Sequence, residues 1–266
     1  MQNRQLSPTL ATLFIINLVC LLIFTTFQGY QLSAIENKLA LHLFNSNQFI
    51  PFQYITYMFL HANMGHFLSN MLGLLLFGTL LEKFWGEKRF LIFYLITGIG
   101  GGIVFSLARY VEHYELFKAM DLFLNNPTPD LFDAVYYKYY RIDQSLDLTD
   151  LVRQYYKDAS QKDYCISLVA GWKEHIAGAP CVGASGAVFG LLFAFAYLFP
   201  NTELSLMFLP ITLPAKFFVL FYGAYELFFG IYKLPGDRVA HWGHLGGVMF
   251  GYLVLYIWQK SRKSLF

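Results

Sequence analysis

Long apolar runs, broken at intervals by short polar or charged segments, set the pattern of this chain. The first charge-free stretch runs from Gln5 to Ile35, with a continuous apolar core from Leu10 to Phe27. That core is too long for the apolar centre of a cleaved leader, and no small-x-small site accompanies it, so it reads as a retained helix. A second charge-free stretch extends from Leu39 to Leu81, and its latter part, from about Gly65, reads as the second helix. The third covers Phe90 to Ala108, the fourth lies within His175 to Thr202, and the sixth covers Val239 to Gln259. The fifth, Pro214 to Tyr232, carries Lys216 and Glu226 yet is long enough to cross a bilayer. The pattern predicts an all-α integral membrane bundle of six transmembrane helices.

Between the third and fourth spans the pattern changes. Residues Glu112 to Glu174 hold 11 of the 17 acidic and 7 of the 19 basic residues, so this segment reads as a solvated insert. LFDAVYYKYYR and LTDLVRQYYKD place apolar residues at helical spacing, which predicts one or two amphipathic helices, separated by the turn signal NNPTP. A flap that packs on the extracytoplasmic face is the plainer role for it; a surface that recruits substrate or partner is the alternative. The expected organisation is one membrane domain over residues 1–266 with the insert 112–174 inside it.

Composition narrows the class further. Only 14% of the 266 residues are charged, against roughly 25% in a soluble domain, and mean hydropathy is +0.45. A water-soluble globule is excluded, and so is disorder, because 28 Phe and 19 Tyr supply too much apolar ring. A net charge of +2, with no basic cluster interleaved with stacking aromatics, excludes nucleic-acid binding. The basic residues of the short loops set the orientation. With the N-terminus inside, the inner side collects Arg4, Lys83, Lys88, Arg89, Lys216, Lys260, Arg262 and Lys263, against Lys38, Lys233 and Arg238 outside. Both termini are therefore expected in the cytoplasm. Cys20, Cys165 and Cys181 form no CxxC pair; Cys165 and Cys181 would bridge only if their segment faces an oxidising compartment.

Polar residues inside apolar spans are costly and mark candidate sites. Three groups stand out. In HANMGHFLSN, His66 and Asn70 are four apart and share one helix face, while His61 belongs to the preceding loop as a structural hydrogen-bonder. In GASGAVFG, residues 183–190, Ser185 lies between small residues where the fourth helix begins. There the first N–H groups and the helix dipole favour developing negative charge, which suits a nucleophile with its own oxyanion donor. In AHWGHLGGVMFG, residues 240–251, His241 and His244 open the sixth helix. Gly186 and Gly190, and likewise Gly247 and Gly251, are GxxxG packing motifs. If the two glycine faces meet, Ser185 and His244 lie at similar depth on parallel helices, a hydroxyl within reach of an imidazole. His244 shares the stripe of Gly247 and Gly251 and is the expected base; His241, one turn nearer solvent, is expected to be structural.

These residues resemble the rhomboid family of intramembrane serine proteases. The resemblance covers all six spans, roughly residues 10–110 and 180–258, and rests on HxxxN at His66 and Asn70, GxSGxxxG at Gly183 to Gly190, and HxxGxxxG at His244 to Gly251. It implies that Ser185 is the nucleophile and His244 the general base of a dyad without an Asp. His66 and Asn70, with the Ser185 backbone N–H, would stabilise the oxyanion, and Gly183 joins them in binding substrate. Substrates would be transmembrane segments of other proteins in the bilayer, cut near a small residue and helix-destabilising residues; the chain itself would sit in a bacterial inner membrane. No cofactor or metal is implied. The family often has a tyrosine four residues after the serine, stacked on the catalytic histidine; Phe189 keeps the ring and loses the hydroxyl. The long insert is not part of the shared pattern. Two other readings stay open: a non-catalytic relative that binds transmembrane helices, and a metalloprotein ligated by His61, His66, His241 and His244. Against the latter, no carboxylate is expected beside either histidine pair. Glu226 is expected to reach the outer interface or an interhelical partner, with a gating role the alternative, and Asp237 to stand near His241 or His244.

Overall fold

The structure is a computed structural model, and it describes residues 6–26, 30–140, 148–205, 212–234, 237 and 239–260. The loop residues Arg4, Arg238, Arg262 and Lys263 that contribute to the expected orientation lie outside them. Among the described residues twelve α-helices run in the order α1 Pro8–Thr26, α2 Tyr30–Leu39, α3 Gln53–Thr56, α4 Met64–Trp85, α5 Glu87–Glu112, α6 Tyr114–Asn125, α7 Pro129–Tyr140, α8 Thr149–Lys157, α9 Lys162–Ala177, α10 Ser185–Leu198, α11 Ala215–Ile231 and α12 His241–Lys260. The departure from an all-α chain is a short antiparallel ribbon between α10 and α11, β1 Glu203–Ser205 paired with β2 Thr212–Pro214.

Among the described residues three helices, α1, α4 and α5, are long and apolar enough to cross a membrane. α10 has 14 residues, about 21 Å at 1.5 Å per residue, which is shorter than a hydrocarbon core of roughly 30 Å. α11 has 17 residues, and α12, with 20, begins on polar histidines. Large apolar side chains face outward along these helices, among them Ile15, Leu68, Leu76, Leu220, Phe221 and Ile257, as a lipid-facing surface requires.

The chain forms two compact units. The first comprises residues 1–41, 50–106 and 180–266; the second comprises 42–49 and 107–179. In the first unit, glycines let α5, α10 and α12 approach to backbone contact. A Cβ on Gly247 would lie 1.9 Å from the Gly186 carbonyl oxygen, one on Gly101 would lie 2.8 Å from the Gly243 carbonyl, and Gly251 faces the backbone of Gly190. In lipid, where apolar burial between helices contributes little, close packing of small residues is what joins them. The expected pairing of the two GxxxG faces is present, and α5 adds a third glycine face from its GIGGG run.

The second unit has its own core. Phe123, Phe132, Val135, Tyr155, Val169 and Trp172 are among its buried residues, and Trp172 lies between the stacked rings of Tyr139 at 4.4 Å and Phe132 at 6.3 Å. Four helices, α6 to α9, build it rather than the one or two expected; α7 and α8 correspond to the two amphipathic motifs, and the NNPTP turn separates α6 from α7. Residues 42–49 join it from a distant part of the sequence. Glu174 fastens them by accepting hydrogen bonds from Ser46 Oγ at 2.6 Å, Gln48 Nε2 at 3.0 Å and the Asn47 backbone at 3.1 Å. No disulfide joins Cys165 to Cys181.

Candidate active site

The segment that leads into α10 is pinned to the rest of the unit before the helix starts at Ser185. Leu41 and Cys181 exchange both backbone hydrogen bonds at 2.9 Å, and the Gly183 N–H donates to the Tyr57 carbonyl at 2.9 Å. Tyr57 in turn donates its hydroxyl to the Gly98 carbonyl of α5 at 2.7 Å. Gly183 has φ +130°, a conformation that L side chains rarely adopt, and a Cβ there would meet His66 at 2.6 Å. Glycine is required at this position on both counts. Immediately afterwards Ser185, Gly186 and Ala187 occupy the first turn of α10, where the backbone N–H groups have no carbonyl one turn earlier to bond.

α4 begins where Asn63 caps it, its Oδ1 accepting from the His66 N–H at 2.9 Å. This start puts His66 and Asn70 on the face against Gly183, with Asn70 Nδ2 3.8 Å from the Cβ position of that glycine. Asn70 is buried, and its Nδ2 has no hydrogen-bond partner among the described residues. A buried donor left unmade costs about 1–3 kcal/mol, so the arrangement is poised for an acceptor. His61 lies in the loop before α4, as expected, but not as a hydrogen-bonder. Both ring nitrogens lack hydrogen-bond partners among the described residues, and the ring packs edge-on against His66 at 5.2 Å and Phe67 at 5.4 Å. Burial, and secondarily the neighbouring His66, push His61 down to about 4.

Ser185 and His244 meet: Oγ and Nε2 are 2.9 Å apart. Phe189 stacks on the His244 ring, with centroids 4.1 Å apart and planes 6° from parallel. His244 Nδ1 faces a carboxylate, Glu226 Oε2, at 2.9 Å. A nitrogen bonded to a carboxylate carries the proton, so Nε2 is left as the acceptor for the Ser185 hydroxyl.

His241 departs from expectation. It is buried, 6% exposed, rather than turned toward solvent. Its Nδ1 lies 2.6 Å from the same Glu226 Oε2, and its Nε2 lies 2.9 Å from Asp237 Oδ2. The Val239 backbone N–H, and then His241, hold the Asp237 carboxyl below its ordinary value. Glu226 is 1% exposed and joins α11 to α12, so it is an interhelical partner and does not reach an interface. Trp242 Nε1 reinforces this junction by donating to the Gly230 carbonyl at 3.1 Å.

Among the described residues the four histidines form no common ligand cluster. His61 pairs with His66, whereas His241 and His244 share Glu226, so the expectation that no carboxylate stands beside a histidine pair is overturned. An acidic residue in a mainly apolar helix signals a buried role. What the sequence lacks is the rotation of α11 that names its partners.

The Rhomboid domain family model matches residues 48–114 and 160–261, and this chain belongs to that family. Over 83 residues it is 37% identical to Rhomboid protein 1, mitochondrial, of Saccharomyces cerevisiae, covering 31% of this chain and 23% of that protein. It is 48% identical over 50 residues to RHOMBOID-like protein 2 of Arabidopsis thaliana, covering 19% of this chain and 16% of the relative. Rhomboid-like protein 11, chloroplastic, of the same plant is 31% identical over 102 residues, 38% of this chain and 35% of its own length. The chain thus spans about a third or less of these relatives.

Proposed function

We propose that this protein is an intramembrane serine endopeptidase that cleaves transmembrane segments of other proteins, with Ser185 as nucleophile and His244 as general base. The observation that carries the reading is the 2.9 Å approach of Ser185 Oγ to His244 Nε2, beside an unpartnered buried donor on Asn70. His244 takes the hydroxyl proton as Oγ attacks the scissile carbonyl. The oxyanion is met by the Ser185 backbone N–H, Asn70 and His66. His244 then returns the proton to the leaving amine, and water resolves the acyl-enzyme by the same route in reverse.

A transmembrane helix hides its peptide bonds, so the substrate must unwind locally before it reaches Ser185. In this reading α1, α4, α5, α10, α11 and α12 are the six spans, and the shortness of α10 leaves Ser185 recessed below the surface. Both termini face the cytoplasm, with residues 112–174 outside, an orientation supported by the basic bias of the short loops. The test is cleavage of a model single-pass protein in liposomes. Wild type cuts it and Ser185→Ala does not; equal cleavage by the two removes the reading, and no cleavage by either favours a non-catalytic helix-binding relative.

A further inference from the structure

We propose that Glu226 is a positioning residue for His244, so that the site is a hydrogen-bonded chain from Ser185 through His244, Glu226 and His241 to Asp237 rather than an isolated pair. The inference rests on the serine-hydrolase reading above and extends it.

One oxygen, Glu226 Oε2, lies 2.9 Å from His244 Nδ1 and 2.6 Å from His241 Nδ1. All three residues are buried. A carboxylate withdrawn from water in mid-helix is tolerated only where donors meet it, and here two ring N–H groups converge on it. The first consequence is tautomeric. With Nδ1–H committed to Glu226, His244 presents a bare Nε2 to Ser185, the form a general base needs. Phe189 stacks on one face of the ring, so rotation about the ring plane is restricted as well.

The second consequence is charge. His241 meets a carboxylate at each ring nitrogen, Glu226 on one side and Asp237 at 2.9 Å on the other, and so donates from both and carries a positive charge. With both carboxylates ionised and His244 neutral, the cluster holds one net negative charge. When His244 Nε2 accepts the Ser185 proton as the Oγ–C bond forms, the new imidazolium brings the cluster to neutrality. The cluster's negative charge is thereby neutralised as an equal negative charge forms on the substrate oxygen, where the Ser185 N–H, Asn70 and His66 meet it, and this division of charge favours the step. Facing the cluster from its packing elements are Tyr222, Tyr225 and Phe229 of α11, Phe189 of α10 and Asp237 of the loop before α12. Asp237 anchors the outer end, its other oxygen accepting from the Val239 N–H at 2.9 Å.

The same atoms would suit a cation, since Glu226, His241 and His244 offer ligand atoms within 4.8 Å of one another. A metal on both Nδ1 atoms would replace the two hydrogen bonds to Glu226. The positioning role is favoured because 2.6 and 2.9 Å are direct hydrogen-bond separations between ring nitrogen and carboxylate oxygen.

The experiment compares wild type, Glu226→Gln, Glu226→Asp and Ser185→Ala in liposomes. It reads kcat and KM on a single-pass substrate, the rate of labelling by a fluorophosphonate, thermal unfolding, and zinc content after dialysis against zinc. Glu226→Gln keeps the shape and removes the charge; it is expected to lower kcat and labelling by about 10²- to 10⁴-fold, with KM and thermal unfolding near wild type. Glu226→Asp restores the charge and is expected to recover at least about tenfold of the loss, a rescue a purely structural role would not show. A kcat for Glu226→Gln within about threefold of wild type overturns the proposal, as does a loss confined to KM, or a fall in thermal stability that Asp does not reverse. Zinc retained by wild type and lost in Glu226→Gln overturns it in favour of a metal site. If Ser185 in the wild type neither cleaves nor labels, the hydrolytic reading fails and this inference with it; if it does both while Glu226→Gln matches it, only this inference fails.

Discussion

Gly247→Ala tests whether the α10–α12 contact sets the distance between Ser185 and His244, the nucleophile and base of the proposed mechanism. The added Cβ would stand 1.9 Å from the Gly186 carbonyl oxygen, and real Cβ atoms essentially never come within 3.0 Å of another group. The obstacle is backbone, so no rotamer change relieves it, and the helices must part by at least about 1.1 Å. Gly186 adjoins Ser185 and Gly247 lies one turn beyond His244, so the opening falls directly on the Oγ–Nε2 pair. A separation of 2.9 Å becomes about 4 Å, outside hydrogen-bonding range. A misplacement of about 1 Å at a reacting group costs on the order of 10²-fold in rate, or about 2.7 kcal/mol of barrier, while overpacking lowers stability by about 1–3 kcal/mol. The assay is kcat on a single-pass substrate in liposomes, alongside thermal unfolding. Gly223→Ala on α11, where nothing lies within 4 Å of the added atom, is the control and should leave both near wild type. A Gly247→Ala protein with wild-type kcat would refute the idea that this glycine contact fixes the reacting geometry.

Three further outcomes are expected. Asn70→Ala removes the unpartnered Nδ2 donor that the proposed mechanism assigns to the oxyanion, and should lower kcat by about 10²- to 10³-fold while leaving measurable cleavage, read in the same liposome assay. Phe189→Ala removes the ring stacked on His244 and should cost about 0.5–1.5 kcal/mol, a several-fold loss in kcat, whereas Phe189→Tyr keeps the stack and should stay close to wild type. Burial raises the Glu174 carboxyl, but hydrogen bonds from Ser46, Gln48 and the Asn47 backbone outweigh it and hold the group below its ordinary 4.5. A depressed carboxylate contributes stability that is present above its ordinary value and lost as pH falls through its folded value. The second unit should therefore loosen on acidification below about pH 4.5, read by Trp172 fluorescence, and Glu174→Gln should flatten that acid limb.

Much of the site is legible in the chain because it depends on local spacing. The GxxxG pairs, one directly after Ser185 and the other one turn after His244, put these two side chains at one depth, and the i, i+4 relation of His66 and Asn70 follows from helical periodicity. Features that need the rotation of one helix against another are not legible. Glu226 is visible as an acid in an apolar helix, yet its partners follow from how α11 turns toward α12, which the Trp242–Gly230 hydrogen bond helps to set. His241 looks solvent-facing by sequence because it opens its helix; Glu226 and Asp237 bury it. In the second unit α7 and α8 show clear amphipathic spacing. The stripe Cys165, Val169, Trp172 and Ile176 of α9 acquires meaning only opposite α6 and α7, and the recruitment of residues 42–49 by Glu174 is a long-range pairing that no periodicity announces.

Activation of Ser185 by His244 is tested by treating the protein in liposomes with a fluorophosphonate and locating the adduct by mass spectrometry. A single adduct on Ser185, absent in Ser185→Ala and lost or strongly slowed in His244→Ala, is the predicted result. Labelling elsewhere, or equal labelling of Ser185 when His244 is alanine, would contradict it.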